Sequence, residues 1–110
     1  VYLGILIIKN KGYMKKANKH YQAWPISECK QFLNMYLDNI KYRDESIVCS
    51  NIAEVLERTY DAIVLRTKEV TGILTNKERG IYNITPNMVK ALNEVMEERN
   101  ISKDKMLIWF

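Results

Sequence analysis

The chain reads as mainly α: a three-helix helix-turn-helix core with a β-hairpin wing and one or two C-terminal helices. Three observations predict this. Apolar residues recur at helical spacing on both sides of a short polar corner at Glu57-Arg58. Two helix starts carry strong local signals, Thr59 ahead of one run and Thr85-Pro86 ahead of another. Between them Asn76-Lys77-Glu78-Arg79-Gly80 separates two short aliphatic runs, as a hairpin loop does.

At 110 residues the chain suits one domain, and 47% hydrophobic residues suffice for one modest core. With 27% charged residues and few Gly or Pro, global disorder is not expected. Cys29 and Cys49 form no CxxC pair and have only His20 for company, too little for a structural zinc site. They read as small apolar residues of a reduced protein, and no cofactor is expected. The apolar run Val1 to Ile8 is too short to span a bilayer and lacks the features of a secretory signal, so no membrane partner and a cytoplasmic location are expected.

The charge is uneven. Residues 1–20 hold five lysines (Lys9, Lys11, Lys15, Lys16 and Lys19) and no acid, whereas residues 21–110 hold 12 basic and 13 acidic groups. The net +4 therefore sits in a leading arm, residues 1–20, ahead of a single domain at 21–110. Such an arm suits a polyanion, because each neutralised phosphate releases counterions; it reads otherwise as a solvated tail. Lys11-Gly12-Tyr13-Met14 would be encoded by AAR-GGN-TAY-ATG, and a purine-rich stretch ahead of ATG resembles a bacterial ribosome-binding site. On that reading Met14 is a natural start and residues 1–13 an extension, which a mass measurement of the native protein decides.

Residues 1–8 read as a short strand or an apolar helix start, with β-branched content favouring the strand. Ser27 is the expected cap of the first helix, with Glu28 in its first turn. Cys29, Phe32, Leu33, Tyr36 and Ile40 form its buried stripe, and Lys30, Gln31, Asn34 and Asp38 fall outside it. Residues 41–46 read as a loop. The second helix is expected from Cys49 to Glu57, with Ile52, Ala53 and Leu56 inward, and the third from Tyr60 to Val70, with Ala62, Ile63, Val70 and the stem of Arg66 inward. Ile73-Leu74-Thr75 and Ile81-Tyr82-Asn83-Ile84 are the expected wing strands; an irregular connector is the plainer reading. Thr85-Pro86 opens a helix with Met88, Ala91, Leu92, Val95 and Met96 inward, and Asn100 ends it. Ser102 caps a last short helix whose apolar end, Met106 to Phe110, either seals the core or forms a homodimer surface.

Trp24 with Phe32, Leu33 and Tyr36, then Ile52-Ala53-x-x-Leu56, Arg58-Thr59, Ala62-Ile63 and Arg66 resemble the Myb/SANT-type three-helix domain of phage and bacterial regulators over about 24–70. Two of that family's three tryptophan positions are taken here by Cys49 and Thr67. Gly72-Ile73-Leu74 with Arg79-Gly80-Ile81-Tyr82-Asn83-Ile84-Thr85 is similar to the wing of winged-helix regulators. Both resemblances imply that residues 59–70 are a recognition helix for double-stranded DNA, as in a cytoplasmic transcription regulator.

On a duplex, the outward face of that helix would be Tyr60, Asp61, Val64, Leu65 and Lys68. Lys68 suits a guanine edge or a phosphate, and Val64 and Leu65 a thymine methyl. Thr59 at the helix N-terminus suits a phosphate. Arg58, Arg66 and the wing-tip pair Lys77 and Arg79 are backbone-contact candidates, and Lys15, Lys16 and Lys19 would follow a minor groove. The face is not strongly basic, and Asp61 and Glu69 oppose phosphate. Val64 and Leu65 read alternatively as buried. A second reading is therefore a SANT-like protein-interaction module, or a phage host-takeover factor without base readout. With one His and neither a Gly-rich phosphate loop nor a metal motif, an enzyme is not expected.

Overall fold

A computed structural model of the chain describes residues 22–75 and 84–110. In order it contains α1 (Ile26–Asn39), α2 (Glu45–Leu56), α3 (Tyr60–Leu74), α4 (Pro86–Arg99) and α5 (Lys103–Trp109). The arm of residues 1–20, the expected strand at residues 1–8 and most of the expected wing (76–83) lie outside the described residues. One wing strand is overturned: Ile73 and Leu74 complete the last turn of α3, and Leu74 is 3% exposed. Their β-branched, apolar character suited a strand, but the α3 stripe Ile63, Thr67, Val70 and Leu74 continues unbroken at helical spacing.

The helix starts follow their caps. Thr59 Oγ1 accepts from Ala62 N at 3.1 Å, Thr85 Oγ1 from Met88 N at 3.4 Å, and Ser102 Oγ from Lys105 N at 3.3 Å. Two starts differ from the sequence reading. α1 begins at Ile26 behind Pro25, so Ser27 lies inside the first turn rather than at the cap. α2 begins at Glu45, one turn before Cys49, because Asp44 and Glu45 sit at its entry, where negative charge meets the helix dipole.

The helices close on one core. Cys29, Phe32, Leu33 and Tyr36 of α1 meet Val48, Cys49, Ile52 and Leu56 of α2, Ile63 and Val70 of α3, and Met88, Ala91, Leu92 and Val95 of α4, each no more than 2% exposed. The expected α1 stripe holds, with Leu37 added and Ile40 only half-buried. α1 packs most extensively on α4 and also against α2, while α3 packs on α2, α4 and α5. The polar residues left outside the α1 stripe grip α4: Lys30 Nζ lies 2.6 Å from Glu98 Oε2, and Arg99 bonds Asn34 Oδ1 at 2.7 Å and Asp38 Oδ1 at 2.8 Å.

The apolar C-terminus seals the core. Met106 is fully buried, Phe110 stacks on Tyr36 at 4.3 Å, and the Tyr36 hydroxyl donates to Trp109 O at 3.1 Å. Ile108, 69% exposed, is the most exposed apolar side chain of this segment. Among the described residues no helix is long and apolar enough to cross a membrane.

Candidate nucleic-acid interface

The corner between α2 and α3 is made by backbone first. Glu57 adopts the left-handed conformation (φ 58°), so that Glu57 N donates to Glu54 O and Arg58 N to Ala53 O. This pairing satisfies the last carbonyls of α2 and turns the chain sharply. Thr59 then opens α3 with an extended backbone and its capping hydroxyl. Ala53, 8% exposed, keeps the inner side of the turn small.

Arg58, expected on phosphate, is instead 5% exposed. Its Nε and Nη2 bond the two oxygens of Glu28 at 2.8 and 3.0 Å, a bidentate pair. Nη1 and Nη2 also donate to the carbonyls of Gln22 (2.6 Å) and Ala23 (3.0 Å), and the guanidinium lies 4.5 Å from the Trp24 ring centroid. A charge removed from water this completely holds only when both ends are paired, so Arg58 is an internal staple. Arg66 is likewise drawn inward. It is half-buried, 3.2 Å from Glu69 and 5.6 Å from the Trp24 ring.

Glu69 also faces inward, against the expectation that it repels phosphate. It is 1% exposed, and its Oε2 accepts from both the N–H (2.7 Å) and the hydroxyl (2.8 Å) of Thr85. It thereby ties the start of α4 to α3. Val64 is half-buried against the core, so of the two apolar candidates Leu65 is the one left to a partner.

What remains outward on α3 is Tyr60 (44% exposed), Asp61, Leu65 (54%) and Lys68. The C-terminus covers the other end of the helix, where Thr71 Oγ1 donates to Phe110 O at 3.2 Å. The structure brings Thr59, Asp61, Leu65 and Arg66 together along an open groove of about 690 Å³, which Trp24 and Pro86 also line. Lys15, Lys16, Lys19, Lys77 and Arg79 lie outside the described residues. Gln22 and Thr85 also line this groove.

Burial sets the chemistry of the thiols. It pushes Cys29 up to about 11, with the nearby Glu69 adding to the shift, and Cys49 also to about 11, with Glu45 adding. Both are free and buried thiols, poorly suited to nucleophilic work. Among the described residues no group of His, Cys, Asp and Glu could hold a metal ion.

Sequence reasoning missed the Glu28–Arg58 and Glu69–Thr85 connections. The partners stand 30 and 16 positions apart, and each residue alone resembles a solvated charge or a cap. No protein-family model, curated protein or solved structure matches the chain.

Proposed function

We propose that the protein binds double-stranded DNA, with the outer face of α3 in the major groove and the lysines of residues 1–20 on the phosphate backbone. One observation carries this reading: the α2–α3 corner is closed by the backbone bonds of Glu57 and Arg58, and Tyr60, Asp61, Leu65 and Lys68 remain exposed on the helix that follows it. The resemblance of residues 24–70 to the Myb/SANT three-helix domain supports the same orientation. In this reading Arg58 and Arg66 build the platform. The phosphate contacts fall to Lys15, Lys16, Lys19, Lys68, Lys77 and Arg79.

A second reading, a protein-interaction module, draws on a specific observation. The described residues hold ten basic and twelve acidic side chains, and Val55, Tyr60 and Leu65 are exposed apolar groups around the corner. Salt separates the two. Binding through about six phosphate contacts falls at least about 10³-fold between about 50 and 200 mM salt, whereas an apolar docking surface is nearly indifferent to it. A mobility-shift assay of the full chain on mixed-sequence duplex at both salt concentrations tests the proposal. Undiminished binding at the higher salt, or none at the lower, contradicts it.

A further inference from the structure

We propose that the groove between residues 22–24, α3 and the start of α4 binds a peptide segment of a partner protein, taking a carboxylate of that segment on Arg66 and its apolar neighbours on Trp24, Leu65 and Pro86. Arg66 Nε and Glu69 Oε1 are buried polar atoms without a hydrogen-bond partner among the described residues. They lie 3.2 Å apart as an ion pair whose geometry makes no hydrogen bond. The other oxygen of Glu69 accepts from the N–H and the hydroxyl of Thr85, at 2.7 and 2.8 Å. The carboxylate therefore cannot turn to meet the guanidinium without leaving Thr85. Arg58, against the same Trp24 ring, spends its donors on Glu28, Gln22 and Ala23. Arg66 carries the same fork of donors, and its contacts among the described residues are an ion pair and a ring. Buried polar groups normally find partners, and a charged donor left without one is costly. An acceptor entering the groove, which Arg66 lines, removes that cost.

Charge and shape select the occupant. A two-oxygen acceptor suits a guanidinium fork, and carboxylate and phosphate both have that form. Asp61 is the other charged side chain that lines the groove, and it cancels the charge of Arg66, with Glu69 behind. A phosphate backbone would find no positive excess here and would leave the apolar walls in water. Those walls are Trp24, Ala62, Leu65 and Pro86, and Leu65 is 54% exposed. A single glutamate or aspartate set between apolar residues satisfies the donors and covers the walls together. The volume of about 690 Å³ falls within the range of ligand sites, about 300–1,000 Å³. Because the groove is open, its occupant is a segment lying across the surface rather than a small acid enclosed by it.

An NMR titration of the full, isotope-labelled chain tests this, followed at the Trp24 indole N–H and the Ala62 and Arg66 amides. The probes are short capped peptides with a central glutamate flanked by leucine, phenylalanine or proline, and the same peptides with glutamine at the centre. At least one glutamate peptide is expected to shift those signals with a Kd below about 1 mM. Its glutamine counterpart is expected to bind at least about ten-fold more weakly, as the loss of a charged hydrogen-bond acceptor requires. In Arg66→Gln the two peptides are expected to bind alike. Where Arg66→Gln proves unfolded, Leu65→Ala takes its place and is expected to weaken the glutamate peptide about five-fold, through lost apolar contact on a half-exposed side chain. If no glutamate peptide moves these signals, or if glutamate and glutamine peptides bind the native chain equally, the proposal is overturned. A mixed-sequence duplex that shifts the same signals, and no longer does so in Arg66→Gln, assigns the groove to nucleic acid and overturns it as well.

Discussion

At the residue scale, the structure turns on an acid–base pair that the fold draws inside. Glu28 and Arg58 are 6% and 5% exposed and satisfy each other. Glu28→Ala leaves a buried guanidinium without its counter-charge and is expected to cost about 3–5 kcal/mol in a urea denaturation series. A loss below about 1 kcal/mol would place the pair in solvent. Glu57 gives the opposite prediction. It stands in the left-handed region at φ 58°, where a Cβ costs about 1–2 kcal/mol and glycine costs nothing sterically. Glu57→Gly should therefore be more stable than Glu57→Ala by about 1 kcal/mol, a comparison in which both variants lose the carboxylate. A urea midpoint no higher for the glycine variant than for the alanine one would refute that account of the corner.

At the scale of elements, stability and the proposed recognition of DNA fall on different faces of α3. Ile63 is fully buried and Leu65 half exposed, two residues apart on opposite faces. Ile63→Ala should cost about 2–5 kcal/mol through lost core volume. Leu65→Ala should leave the urea midpoint within about 0.5 kcal/mol of native while weakening DNA binding. Thr59→Ala removes the cap of α3 and should cost about 1 kcal/mol. Much of this layer was legible in the sequence because it is local. Thr59, Thr85-Pro86 and Ser102 carry their signals within three residues, and the α1 and α4 stripes repeat within one helix. The start of α2 was not legible, because Asp44 makes no side-chain cap bond and its surroundings, KYRDES, resemble a loop. Ile73 and Leu74 were misread because strand-forming residues can also finish a helix whose buried stripe continues. Of the site, the exposed Tyr60, Asp61, Leu65 and Lys68 could be read from helical period, but the burial of Arg58, Arg66 and Glu69 depends on partners brought together by the tertiary fold.

At the scale of the whole molecule, pH and salt act on different parts. The folded state raises both cysteine pKa values from 9.0 to about 11, so burial favours the neutral thiols. Stability from this source is complete below pH 9.0 and is lost as pH rises towards about 11. Tyr36, raised by burial with Glu45 contributing, pushes in the same direction. Urea midpoints should therefore decline over that alkaline window, with a shallower decline in Cys29→Ala. A midpoint that is flat there would contradict the buried thiols. Salt acts instead on the proposed contacts with DNA. Excess positive charge lies in residues 1–20, whereas the helical body supplies a platform and one exposed helix face.

The central claim, that this face of α3 lies on a duplex held by lysines, is tested most directly by the salt dependence of DNA affinity in the native chain and in Lys68→Ala. The account predicts a steep fall for the native chain, with a log–log slope of about −5 from six phosphate contacts, and a slope shallower by about 0.9 in the variant. A native slope near zero, or identical slopes in the two proteins, would contradict it.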